Sequence, residues 1–134
     1  MSVITTQHKF EITKLPEEVK KKWVDALRLG DYEQGSSALL DFFPTKVHCC
    51  LGVLGEVCGI PQEELEGQEF LNGMPNLPEE IELFSANLNL QQMLADNNDG
   101  AIVEETGSSE IGKARIRHPK ATFLELADWI EENL

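Results

Sequence analysis

The chain has 134 residues, 24 of them acidic and 11 basic, for a net charge of −13 at neutral pH. This length suits a single domain spanning 1–134 with a real core, and the bulk field disfavours nucleic acid or an anionic membrane as a direct partner. An odd count of three cysteines with no leader-like N-terminus points to a reducing cytoplasmic setting rather than a disulfide framework, and no apolar run reaches the ~20 residues of a membrane span.

Charge is unevenly placed. Residues 1–30 carry six Lys/Arg against four Asp/Glu, whereas Val47 to Gly112 has thirteen acids and no Lys or Arg at all. Lys113, Arg115, Arg117 and Lys120 then follow closely, with His118 among them.

In chain order, Met1 to Thr13 alternates weakly through Val3, Phe10 and Ile12, as a strand or arm would. Leu15-Pro16-Glu17-Glu18 opens a helix, with proline in the first turn and acids favoured by the N-terminal dipole. Val19, Trp23, Ala26 and Leu27 form its inner stripe, Lys20 to Lys22 begin its wet side, and Gly30 ends it. Tyr32 to Ser37 reads as a structured turn, and Ala38 to Phe43 as a short extended segment. Phe42-Phe43-Pro44 either plugs the core or presents aromatic side chains to a partner.

Val47 to Ile60 (VHCCLGVLGEVCGI) is the one long apolar run. At helical spacing Val47, Leu51, Leu54 and Cys58 make one stripe, flanked by Cys50, Val53 and Val57, which predicts a central helix over about 47–58 buried on most sides. Gly52 and Gly55 each cost a helix about 1 kcal/mol relative to Ala, so another chain segment is expected to approach closely there. Gly59, Ile60 and Pro61 end it.

His48, Cys49, Cys50 and Cys58 raise a thiol or metal reading. Zinc takes ligand pairs roughly two to four residues apart, and adjacent Cys49 and Cys50 diverge by about 100° on a helix, so at most one joins Cys58. A helix N-terminus could activate a cysteine beside His48. Packing, the usual role of a free cysteine, is the favoured reading.

After Pro61 a short acidic helix (Gln62 to Glu66) precedes a loop with Gly73, Pro75 and Asn76. Leu77-Pro78-Glu79-Glu80 repeats the helix opening of Leu15 to Glu18, ahead of Ile81, Leu83 and Phe84. Asn89 reads as an N-cap with Gln92 three residues on, followed by Leu90, Met93 and Leu94 as the inner face. Asp96 to Gly100 resembles a calcium loop, but with Gly100 at the sixth position Ala95 and Thr106 occupy the ligand positions at its ends; a helix terminus and turn are expected instead.

Ala101 to Glu105 and Ile111 to His118 predict a hairpin (about 101–118) turning at Gly107-Ser108-Ser109. Lys113, Arg115 and Arg117 alternate along the second strand, either pairing with Glu104 and Glu105 across the ladder or forming a cationic face for an anion. Thr122 to Glu125 is a capping box, and Phe123, Leu126, Ala127, Ile130 and Leu134, with Trp129 at the border, form the inner face of the last helix. The expected fold is α+β and mainly α, with about five or six helices packed around the 47–58 helix and one small hairpin.

The segments ALRLGDYEQG (26–35), CCLGVL (49–54), Asn98-Asp99 and LADWIEENL (126–134) together resemble a family of small, functionally uncharacterised bacteriophage and prophage proteins. The resemblance implies a phage-encoded cytoplasmic accessory protein expressed in an infected host, and it implies no reaction. The chain departs from it at Gly55 and Glu56, where relatives often carry Cys and Asp, and in a longer segment from Gly100 to Pro119.

Three functional expectations follow. The first is a non-enzymatic protein that blocks a host or defence protein through an acidic surface of Glu63, Glu64, Glu66, Glu79 and Glu80 with Phe42 and Phe43. The second is sequestration of a small anionic, nucleotide-like ligand by Lys113, Arg115, Arg117, His118 and Lys120. The third, least favoured, is a thiol- or metal-dependent enzyme using His48, Cys49 and Asp99. No cofactor or metal is assigned, and the sequence leaves the oligomeric state open, homo-oligomers included.

Overall fold

The computed structural model describes residues 11–42, 45–100, 103–109, 112–117 and 120–134, with 103–109 and 112–117 described by their backbone alone. The fold is α+β and mainly helical, with helices α1 (Glu17–Leu29), α2 (Cys50–Val57), α3 (Gln62–Leu65), α4 (Glu82–Ala86), α5 (Leu88–Asp99) and α6 (Phe123–Asn133). A 3-10 turn (Glu79–Ile81) precedes α4. Strands β1 (Leu40–Asp41) and β2 (Val47–His48) pair antiparallel, as do β3 (Val103–Ser109) and β4 (Gly112–Arg117). Among the described residues no helix is long and apolar enough to cross a membrane.

The apolar run lies at the centre, as its composition predicts. Every residue from Cys50 to Gly55 is buried, and α2 packs against α1, α3 and α5. A Cβ on Gly52 would collide with the carbonyl of Leu39, so glycine here permits a backbone to lie directly on the helix. Gly59 takes the left-handed conformation after the helix, at φ +88°.

The helix starts later than periodicity predicts. Val47 and His48 are strand, with Leu40 opposite His48 and Asp41 opposite Val47. The His48 amide donates to the Glu33 carbonyl (2.9 Å), and its own carbonyl accepts from the Gly35 amide (2.7 Å). With both groups committed to the 33–35 segment, the backbone cannot wind until Cys49, the extended N-cap residue.

α1 buries Val19, Trp23, Val24, Ala26 and Leu27 and ends on Gly30 at φ +78°. Trp23 meets Phe84 edge to face, centroids 5.7 Å apart, and its Nε1 donates to the Cys50 carbonyl at 2.8 Å. α6 lies along α1. It opens with the expected box, in which Thr122 Oγ1 accepts from the Glu125 amide and the Glu125 carboxylate accepts from the Thr122 amide. Arg28 reaches across to Asp128 (2.8 Å) and Glu131 (2.6 Å).

Two further starts differ from expectation. The cap of α5 is Asn87, not Asn89: Asn87 Oδ1 accepts from the Leu90 amide at 3.1 Å. The segment after Pro78 is a 3-10 turn followed by a separate short helix, because Ile81 (φ −116°, ψ 11°) leaves helical geometry between them. In the β3–β4 hairpin Gly107 to Ser109 belong to β3 rather than the turn, and the register shifts between Thr106 and Ser109. The sequence Asp96 to Gly100 is the end of α5 and its left-handed Gly100 cap.

Candidate functional site

The candidate partner surface is distributed over several elements. Glu63 and Glu66 are exposed on and just beyond α3, while Glu64 is half-buried and accepts from Asn76 Nδ2 at 2.9 Å. Glu79 and Glu80 are exposed at the 3-10 turn. Glu66 forms a parallel bridge with Leu40, which brings the end of α3 to the strand whose next residues are Asp41 and Phe42. Phe42 is 36% exposed; Phe43 lies outside the described residues. None of these glutamates forms an ion pair among the described residues.

The basic residues are divided. Lys113, Arg115 and Arg117 lie at alternate positions of β4, with Glu105 opposite Arg115 and Val103 opposite Arg117. That register sets one of the two acids, Glu105, opposite a basic residue, as cross-strand charge pairing requires, whereas Glu104 lies opposite Ile116. His118 lies outside the described residues. Lys120 is exposed and donates from Nζ to Ser36 Oγ at 2.8 Å, its stem passing over Gly100.

The cysteines are set for packing. Cys49 and Cys50 are buried and Cys58 is half-buried. Burial pushes the Cys49 thiol up to about 12, and Asp99 pushes the same way, against the opposing amides of Gly52 and Leu51. Burial also raises Cys50, helped by Cys49 and Asp99. Cys58 is pushed up to about 11 by burial and Glu80, with Lys22 opposing. A thiol held this high is almost wholly protonated at neutral pH, the unreactive form. Asp99 thus reaches Cys49, but in the sense opposite to activation. The His48 imidazole turns elsewhere, to the Glu56 carboxylate. Among the described residues no cluster of three His, Cys, Asp or Glu is placed to hold a metal.

Two polar clusters escaped sequence reasoning. Buried His48 Nε2 contacts Glu56 Oε2, Gln62 Nε2 donates to the other Glu56 oxygen at 2.7 Å, and Tyr32 stands edge-on to the imidazole, 4.9 Å between centroids. The lone acid inside the apolar run was the available signal. The second centres on fully buried Asn98. Its Oδ1 accepts from the Cys50 amide (3.2 Å) and Gln34 Nε2 (3.1 Å), while its Nδ2 donates to the Gly35 carbonyl (2.8 Å) and Asp99 Oδ1 (2.9 Å). Gln34 also donates to the Ala121 carbonyl at 2.7 Å. One amide thereby ties the end of α5, the start of α2 and the approach to α6.

The arrangement is that of a mainly helical α+β protein with its polar interior committed to structure and with Glu63, Glu64, Glu66, Glu79 and Glu80 outside any ion pair among the described residues. The chain belongs to the family described as Domain of unknown function (DUF8296), which matches residues 15–134. No curated protein and no solved structure matches the chain.

Proposed function

We propose that this chain is a non-enzymatic accessory protein of the phage-encoded kind, which binds and blocks a host or defence protein through its acidic surface. The observation that carries the reading is the stretch from Val47 to Gly112, thirteen acids without one Lys or Arg, several of them exposed and outside any ion pair among the described residues. Such a surface steers toward a cationic patch on a partner and repels competing polyanions. The thiols support the same side of the choice, since protonated, buried sulfur is a poor nucleophile.

The test is affinity capture from host cytosol with the native chain and with a variant carrying Gln at Glu63, Glu64, Glu66, Glu79 and Glu80. The native chain should retain a discrete protein that the variant releases. Equal recovery by both, or recovery of nothing above background, contradicts the reading.

A second reading, sequestration of a nucleotide-like anion, draws on the alternation of Lys113, Arg115 and Arg117 along β4. It requires thermal stabilisation by the ligand, about 2.7 kcal/mol at a hundredfold excess over Kd, lost on charge reversal at Arg115 and Arg117. An unchanged melting curve across a panel of nucleotides removes it.

A further inference from the structure

Four places in the chain set a side-chain amide or carboxyl directly before a glycine: Gln34-Gly35, Glu66-Gly67, Asn72-Gly73 and Asp99-Gly100. Such a pair is open to attack from within, because glycine has no side chain to shield its own amide nitrogen from the carbonyl carbon of the preceding side chain. A hydrogen bond that holds the nitrogen in place closes that route.

Three of the four are closed in this way. The Gly35 amide donates to the His48 carbonyl at 2.7 Å, and the Gly67 amide to the Leu40 carbonyl at 3.0 Å. The Gly100 amide turns back to the carbonyls of Asp96 and Asn97 at the end of α5. Asn72-Gly73 is different. Both residues are exposed, and Gly73 stands at φ +75° with nothing within 4 Å of where a Cβ would be. Among the described residues no hydrogen bond holds the Gly73 amide or the Asn72 side chain.

The ends of this turn are nevertheless fixed. Leu71 is fully buried, and its amide donates to Gln91 Oε1 at 2.9 Å. On the far side Asn76 Nδ2 donates to Glu64 at 2.9 Å. Asn72 and Gly73 lie between two anchors with no bond of their own, so their rotation breaks nothing. Every other asparagine precedes leucine, asparagine or aspartate, whose side chains crowd the attacking nitrogen, and Asn97 and Asn98 are buried as well.

We propose that Asn72 is a site of spontaneous deamidation, which converts this turn to aspartate and isoaspartate. The Gly73 nitrogen gives its proton to hydroxide and bonds to Asn72 Cγ; the Cγ–Nδ2 bond breaks, and ammonia leaves with a proton taken from water. The reaction is intramolecular and is favoured by proximity. A second water opens the cyclic imide, at the side-chain carbonyl to give aspartate or at the main-chain carbonyl to give isoaspartate. Both products carry one negative charge more than the −13 of the sequence, added within the stretch from Val47 to Gly112 that has no Lys or Arg. Isoaspartate also lengthens the main chain by a methylene between Leu71 and Asn76. No partner protein is needed for either outcome.

The test incubates the full chain in neutral and mildly alkaline buffer and samples it over days by ion exchange. Peptide mapping with electron-transfer fragmentation separates aspartate from isoaspartate. A more acidic species, one mass unit heavier, should accumulate with the change at Asn72 in both linkages and a rate that rises with hydroxide. Asn72→Gln, which must close a larger ring, should keep the native circular dichroism and unfolding midpoint and slow the acidic shift about tenfold or more. Asn72→Asp should elute with the aspartyl product. Asn98 should change only in urea-unfolded chain. If Asn72 stays intact in the folded chain while it deamidates in urea, the turn protects it and the proposal is overturned. Modification arising first at another residue, or an unchanged rate in Asn72→Gln, overturns it equally.

Discussion

Gly52 lies where the backbone of Leu39 rests on α2, and a methyl group there would have to displace a carbonyl. Alanine gains about 1 kcal/mol of helix propensity, but overpacking against backbone costs about 1–3 kcal/mol or more, so Gly52→Ala should lower the urea midpoint. At Gly55 an added Cβ meets only the ends of Leu65 and Leu71, 2.7 and 3.1 Å away. Side chains can yield where a carbonyl cannot, and Gly55→Ala should cost less than Gly52→Ala in the same assay. Asn98→Ala should cost about 1–3 kcal/mol for each partner it strands inside the protein, with the Cys50 amide and Gly35 carbonyl foremost.

The thiols make a prediction in pH. The Cys49 thiol moves from 9.0 to about 12 on folding, chiefly through burial. Below pH 9 its contribution to stability is fully present. As pH rises toward 12 the unfolded chain loses this proton first, and the contribution is lost. The urea midpoint should therefore fall from pH 9 upward, and Cys49→Ala should make that fall shallower. In native protein Cys58, the half-buried one, should react with a maleimide before Cys49 or Cys50; labelling in the opposite order would contradict the packing role of the buried pair.

Among the elements, those whose polar start signal has no competing neighbour were legible in the sequence. α1 has its acids and Gly30, and α6 has its capping box, so their extents agree with periodicity. Thr122→Ala should remove about 1 kcal/mol, read as a shift in thermal unfolding, since Thr122 and Glu125 cap the helix reciprocally. The start of α2 was not legible, because Val47 and His48 are as apolar-periodic as the helix while long-range bonds to 33–35 hold them as strand. For the same reason the pairing of β1 with β2, made of two residues each, leaves no local trace. Asn87 and Asn89 are equivalent caps by composition, and only the position of the 11–13 segment distinguishes them.

The candidate surface divides along the same line. Charge is visible in a sequence, so the run of acids was legible. Exposure of a single leucine is not: Leu83 is exposed while Ile81 and Phe84 are buried, and the backbone leaves helical geometry at Ile81. The Asn98 hub likewise joins residues far apart in the chain, and Glu56 meets His48 only because His48 is strand rather than helix.

At the scale of the whole molecule, structure and function draw on different residues. The interior satisfies its own polar groups around α2, while the exterior carries a field of one sign over half the chain. A complex formed by that field should weaken as salt shortens the Debye length from about 10 Å at 0.1 M toward about 3 Å at 1 M. The decisive measurement is native mass spectrometry of the protein purified from its host's cytosol at low salt and again after a high-salt wash. The account predicts a complex with a protein partner at low salt that dissociates after the wash. A bare chain at low salt, or a nucleotide-sized mass retained by it, would contradict the account.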